Sequence, residues 1–237
     1  MHRALRDGVR WGYLQRNVAQ VAVKPRQPNV GTSGATTWTA AEVKDFLRAV
    51  NGERLQALWR VAVSTGVRRG ELLGLRWTDI DLSGRRLAVR QTLTSVGSQV
   101  IFGEPKTKRG KRSVALDGRT VEDLSAWRQL QQAERMSWGS AWKNSGLVFT
   151  REDGSLIHPD LVSKWFVRYS RDAHLTPIRF HDLRHTHASL ALQAGVPAKV
   201  VSERLGHATV AFTLDVYSHV IPGMQEEAAE RIAALTN

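Results

Sequence analysis

Cysteine is absent from all 237 residues. The chain therefore has no disulfides and no thiolate ligands for a metal, and redox chemistry gives no clue to its compartment. Long apolar runs are missing too: none approaches the ~20 residues that a bilayer-spanning helix needs. The opening Met1-His2-Arg3-Ala4-Leu5-Arg6-Asp7-Gly8 lacks the apolar stretch of a secretory signal. A soluble, cytoplasmic protein is expected. Internal repeats and low-complexity tracts are not found. Acidic residues are in short supply: 22 Asp and Glu stand against 34 Lys and Arg, a net charge of +12, with a pI near 10.8. That excess favours a polyanionic partner through counterion release, nucleic acid first among them. A basic surface that binds nothing is the alternative charge alone leaves open.

What the chain does have is helical periodicity with one interruption. Leu5, Val9 and Trp11 lie between arginines in a helical pattern too short to fold alone. Lys24-Pro25-Arg26-Gln27-Pro28-Asn29 and Gly31-Thr32-Ser33-Gly34 then read as a linker. Residues 1–23 are accordingly expected to be the last helix of an N-terminal domain, 24–37 a linker and 38–237 the main domain. A frayed N-terminal helix is the competing reading.

In the main domain Thr39 and Glu42 form a capping box for a helix carrying Val43, Phe46, Leu47 and Val50. A second helix with Leu55, Leu58, Trp59, Ala62 and Val63 stops at Gly66. A short helical turn follows over Glu71–Leu75. The period then changes: 80–82, 86–93, 99–102 and 112–116 alternate between Gly-containing turns and predict one small antiparallel sheet. Lys106-Thr107-Lys108-Arg109-Gly110-Lys111 is placed at the tip of a hairpin within it. Helices are expected again over 120–137, 159–174, 181–194, 197–205, 209–217 and 222–235. The fold class is α+β, mainly helical with a small antiparallel β-sheet.

The residues able to carry chemistry are two arginines, two histidines and a tyrosine. Arg68 lies in Thr65-Gly66-Val67-Arg68-Arg69-Gly70-Glu71; His181 and Arg184 lie in His181-Asp182-Leu183-Arg184-His185-Thr186-His187; His207 follows Leu205-Gly206, and Tyr217 comes after it. Guanidinium stays charged at physiological pH and its planar fork matches phosphate oxygens. A tyrosine hydroxyl can hold a phosphoryl group covalently. His181 and His185 stand at i and i+4, which invites a metal, but no third carboxylate or thiolate sits at a recognisable spacing and Arg184 lies between them. Taken singly, adjacent arginines are surface charge and a lone tyrosine is a core residue. Trp77, Trp127 and Trp165 read as core.

Together these segments resemble the tyrosine recombinase (phage integrase) family. Gly66 to Trp77 resembles its first box, and His181-Asp182-Leu183-Arg184-His185, Leu205-Gly206-His207 and Tyr217 resemble its second, over residues 38–237. The resemblance implies that Tyr217 attacks a DNA phosphate to give a 3′-phosphotyrosyl link and a free 5′-hydroxyl. It makes Arg68 and Arg184 the clamp on the non-bridging oxygens, with His207 as a further donor and His181 as an aid to proton movement. It makes Lys106 the proton donor to the departing 5′ oxygen, with Lys108 and Lys111 as alternatives on the same segment. Glu71 matches a supporting acidic residue; a helix-surface charge is its alternative. His185 and His187 are read as structural or close to DNA. No cofactor and no metal are implied, since the arginines supply the positive charge. An unperturbed tyrosine has a pKa of about 10, so only about a thousandth is phenolate at pH 7, and nearby guanidinium groups favour the ionised form.

The same resemblance implies double-stranded DNA as substrate, a homo-tetramer on that DNA, and an accessory DNA-bending protein in some systems. A phage or other mobile element is the implied source. Because residues 1–23 match only the end of a second DNA-binding domain, a fragment or truncated product is expected. The segment 222–235 is amphipathic, and docks either on a neighbouring protomer or on its own domain. A non-catalytic DNA-binding remnant and a type IB topoisomerase-like enzyme are the competing functions.

Overall fold

The computed structural model describes residues 2–20, 36–97, 99–104, 110–207, 209–217, 229 and 233–234. Two compact units divide the chain, Met1–Gly34 and Ala35–Asn237.

In the first unit helix α1 spans His2–Arg10. It ends there because the chain turns back: the amides of Tyr13 and Leu14 both donate to the Gly8 carbonyl, and Gly12 adopts φ 78°. A single 3-10 turn follows over Val18–Gln20, where the Asn17 side chain accepts the amide of Ala19.

The second unit opens with Trp38, whose amide donates to Thr186 Oγ1 and whose indole N–H donates to the Thr176 carbonyl. Thr39 and Glu42 make the reciprocal capping box that starts α2 (Ala40–Ala49). Helix α3 (Gln56–Thr65) is apolar on nearly every side: Ala57, Leu58, Trp59, Val61 and Ala62 are buried. Such a helix belongs in the middle of a domain, and α3 packs on α5 (Gly118–Trp138) and α7 (Asp182–Gln193). Trp38, Phe46, Trp59, Phe180 and Phe166 of α6 (Pro159–Asp172) form one aromatic cluster beside it, with centroids 5.1 to 6.3 Å apart. Each such pair adds about 0.5–1.5 kcal/mol to the burial of the rings. Trp127 is buried in the same core; Trp77 and Trp165 are half-buried against it.

After α4 (Arg69–Leu73) come strands β1 (Ile80–Asp81), β2 (Arg86–Val89), β3 (Thr92–Val96), β4 (Gln99–Gly103) and β5 (Arg112–Ala115). They form two sheets, not the single one expected: an antiparallel β1-β2-β5 and a β3-β4 hairpin. The expected strand over 86–93 is broken at Arg90-Gln91. The break follows from α4, which meets the chain at its start: a Cβ on Gly70 would lie 2.6 Å from both the Leu93 carbonyl oxygen and Thr92 Oγ1. Without a side chain there the backbone of β3 sits directly on the helix, and Gln91 ties the bend by donating to the Gly74 carbonyl. The expected hairpin across 106–111 is also corrected. β5 pairs with β2 in the register Leu87↔Val114, so the strands flanking that segment do not pair with each other. Residues 105–109 lie outside the described residues.

The helices that follow are α8 (Ala198–Leu205) and α9 (Val210–Tyr217). Of the helix expected over 222–235, almost all lies outside the described residues.

Candidate active site

Arg184 is the centre of the arrangement. It sits in the first turns of α7 and is only 4% exposed. Its Nη1 donates to the Gly66 carbonyl at 2.9 Å, and its Nη2 donates to the Leu205 carbonyl at 2.6 Å. Both acceptors stand at helix C-termini, α3 and α8, where carbonyls lack intrahelical partners and the helix dipole is negative. Each helix ends in a left-handed glycine, Gly66 at φ 63° and Gly206 at φ 68°. Gly66 needs to be glycine on two counts: a Cβ there would also lie 2.7 Å from Leu205 Cδ2 and 2.9 Å from His187 Cδ2. The two helix ends are therefore in contact, and one guanidinium bridges them.

Two residues beyond each gripped carbonyl comes another polar group of the site. Beyond Gly66 is Arg68, the N-cap of α4, whose side chain is 43% exposed. Its amide donates to Glu71 Oε2 at 2.9 Å and its Nη1 to Glu71 Oε1 at 2.8 Å. Glu71 is buried and receives a second arginine, Arg112 of β5, end-on through Nη1 at 3.2 Å and Nη2 at 2.9 Å. Burial alone would raise the Glu71 carboxyl; Arg112 above all, with Arg68, outweighs it and holds the group below its ordinary value.

Beyond Leu205 is His207, which is 7% exposed. Its Nδ1 lies 2.7 Å from the hydroxyl of Thr213, a fully buried residue of α9. Desolvation, then the charges of Arg184 and Arg68, push His207 down to about 4, so it is neutral at pH 7. His181, just before α7, lies at the exposed rim. Partial desolvation, His185, and the same Arg184 and Arg68 lower it as well. The His181 and His185 rings meet edge to face at 5.4 Å. Arg68, His181, Arg184 and His207 thus share one electrostatic neighbourhood, positive and partly dry.

Residues 37–223 match the family model described as the phage integrase family. The chain belongs to that family. As a phage integrase family member it is 35% identical over 236 residues to a "Tyrosine recombinase XerC-like" protein of Caldanaerobacter subterraneus, a match covering 93% of this chain and 60% of that one. It is 32% identical over 197 residues to the ICEBs1 integrase of Bacillus subtilis, covering 82% and 53%. The integrase-family chain therefore spans about half to three-fifths of the length of these curated relatives. Its fold is similar to that of the Tn1549 transposon integrase solved in complex with transposon right end DNA, with TM-score 0.70, 19% identity and coverage of 98% and 76%.

Among the residues singled out from the sequence, the integrase-family fold gathers Arg68, Glu71, His181, Arg184 and His207. Tyr217 is the last residue of α9, four residues after Thr213. Lys106 and Lys108 lie outside the described residues, while Lys111 pairs with Glu104 at 2.9 Å. Neighbours in sequence part company here. Arg69 turns to α6 and donates to Ser163. His187 turns inward, its Nδ1 3.0 Å from the Val63 carbonyl, and burial lowers it to about 4.

Two further residues were missed by sequence reasoning, Arg112 and Thr213. Arg112 carried one signal, since it shares a face of β5 with the buried Val114, and a charged residue at an inward strand position needs a buried partner. Thr213 carried none beyond its place one turn before Tyr217.

Proposed function

We propose that this chain is a site-specific DNA recombinase, an integrase of a phage or other mobile element, that cuts and rejoins DNA through a 3′-phosphotyrosyl intermediate on Tyr217. The observation that carries this reading is the Arg184 bridge. One guanidinium holds together the two helix ends that present Arg68 and His207, so cationic and hydrogen-bonding groups are fixed before substrate arrives. Preorganised charge of this kind is what a phosphoryl-transfer transition state needs, because the developing negative charge sits on the non-bridging oxygens.

In the proposed cycle the Tyr217 oxygen bonds to phosphorus as the bond from phosphorus to the 5′ oxygen breaks. The phenol proton passes to a base, with His181 at the rim in that role, and the departing oxygen takes a proton from Lys106. Arg68 and Arg184 offset the charge on the phosphoryl oxygens, and His207 donates to the same group. His207 being neutral at pH 7, it has one ring N–H to give. The covalent link retains the phosphodiester bond energy, so a second 5′-hydroxyl reverses the step without ATP. The chain's other tyrosines suit the task less well. Tyr169 donates to Glu53 at 2.8 Å, and burial followed by that carboxylate raises its pKa; Tyr13 belongs to the first unit.

Double-stranded DNA is the proposed substrate, in line with the net charge of +12. Exchange between two duplexes breaks four strands, and one nucleophile per chain then calls for a homo-tetramer on the DNA. An accessory DNA-bending protein and action in the cytoplasm complete the proposal; among the described residues no helix is long and apolar enough to cross a membrane. Residues 1–23 are proposed to end a DNA-binding domain, 24–37 to link it, and 38–237 to form the catalytic domain.

The test is a nicked suicide duplex carrying candidate sites, scored for a covalent protein–DNA adduct. An adduct that is lost in Tyr217→Phe, with DNA binding retained, supports the reading. An adduct that persists in that variant removes the proposed nucleophile.

A further inference from the structure

We propose that Arg112 is a positioning residue of the cleavage site: it locks the carboxylate that holds Arg68 and fastens that pair to the end of α8 that carries His207. The inference rests on the recombinase reading above.

Arg112 is the first residue of β5, and its side chain is 6% exposed, against 4% for Glu71 and 43% for Arg68. All three donor nitrogens of the fork are used. Nη1 and Nη2 meet the two oxygens of Glu71, Nε donates to the Arg204 carbonyl at 2.6 Å, and Nη1 also donates to the Gly110 carbonyl at 3.1 Å. Lysine cannot reproduce this, because an ammonium is a point charge without a planar fork.

The consequence concerns Arg68. Glu71 takes the Arg68 backbone amide and Nη1, which fixes where that arginine stands. Were Arg68 its one cation, the buried carboxylate would draw the whole guanidinium inward and cancel the charge meant for a phosphate. With Arg112 supplying a bidentate buried counter-charge, Glu71 orients Arg68 while the outer edge of that guanidinium stays at the exposed side. The bond to Arg204 adds a second effect. Arg204 is three residues before His207, so Arg112 sets the α4 start and the α8 end at a fixed separation, a second tie beside the Arg184 bridge. Arg112 also donates to the Gly110 carbonyl, which holds the described chain entering β5 at the same point. Among the described residues the charged groups facing Glu71 are Arg68 from its own helix end and Arg112 from β5. α8 contributes a carbonyl, since the Arg204 guanidinium donates instead to Ser64 and Ala115 carbonyls.

The experiment compares the parent chain, Arg112→Met and Arg112→Lys for DNA affinity and for the single-turnover rate of adduct formation across pH 5 to 9. Arg112→Met is expected to bind DNA within about twofold of the parent and to form adduct about 100-fold more slowly, the usual cost of a small displacement of a reacting group. The acid limb of its rate profile should move to higher pH, because Glu71 loses its main counter-charge and His207 loses one of the cations that lower it. Arg112→Lys should fall between the two. Parent rates in both variants would overturn the proposal. So would a hundredfold loss with an unmoved acid limb, or a loss of binding equal to the loss of rate, either of which marks general damage to the fold. Where circular dichroism shows Arg112→Met unfolded, Arg112→Lys is judged by the same criteria. A parent chain that forms no adduct removes the recombinase reading and this role with it; an active parent with indifferent variants removes the Arg112 role alone.

Discussion

The Nη1 of Arg184 donates to the carbonyl of Gly66 at 2.9 Å, across 118 positions of sequence. With the bond to Leu205 it makes Arg184 a structural pin, on a side chain also proposed to offset the charge of the phosphate. Arg184→Lys should separate from other core substitutions by costing both properties. We expect a loss of about 1.5–3 kcal/mol in unfolding free energy from the charged hydrogen bonds. We expect adduct formation to slow by about 10²–10³-fold, the range seen when one preorganised donor is removed. Urea denaturation and single-turnover cleavage measure the two effects.

Gly66 should tolerate no side chain. Alanine there meets the left-handed backbone, at about 1–2 kcal/mol, and overpacks against Leu205 and His187, at about 1–3 kcal/mol more. Gly52 is the internal control: it has φ 84°, but a Cβ there would meet nothing within 4 Å. Gly52→Ala should therefore cost only the backbone part, about 1–2 kcal/mol. Equal losses at the two positions by denaturant midpoint would remove the close contact between the α3 and α8 ends.

Thr213 should matter through its hydroxyl. Thr213→Val keeps the shape and leaves His207 Nδ1 facing a methyl group, which should cost about 1–3 kcal/mol of stability and slow cleavage. Thr213→Ser should restore both. Cleavage in the valine variant at the parent rate would show that His207 needs no partner on α9.

Stability should fall on mild acidification. His187 and His207 have folded values of about 4 against an ordinary 6.5. Between those values the unfolded chain binds the extra protons, so stability is complete above pH 6.5 and is lost as pH falls toward 4. Each histidine contributes up to about 3 kcal/mol across that window. His187→Asn retains a donor for the Val63 carbonyl and cannot titrate. Its urea midpoint should change less between pH 7 and 4.5 than that of the parent, and an identical slope would contradict the assigned burial.

Local signals made most of the helices legible. The Thr39–Glu42 capping box and the Gly66 stop are written in neighbouring residues, and α2 to α9 fall within a few positions of the expected spans. The break between β2 and β3 was hidden because Leu87, Val89 and Leu93 keep one alternating phase on either side of Arg90 and Gln91. Its cause lies at Gly70 and Gly74, in another element. The site divides the same way. Arg68, Arg184 and His207 could be picked by residue type and motif, whereas the fact that Arg68 turns to Glu71 and Arg69 to Ser163 is decided by packing. Arg112 was masked by the basic residues beside it, since composition does not say which of several cations turns inward.

One phenol of this chain is expected to become bonded to a DNA phosphate. The direct measurement is mass spectrometry of the adduct after nuclease and protease digestion, locating the residue that carries the nucleotide. The modification is expected on Tyr217, with none on Tyr13 or Tyr169. A nucleotide found on another residue, or a cleaved duplex with free 3′-phosphate and unmodified Tyr217 throughout, would contradict it.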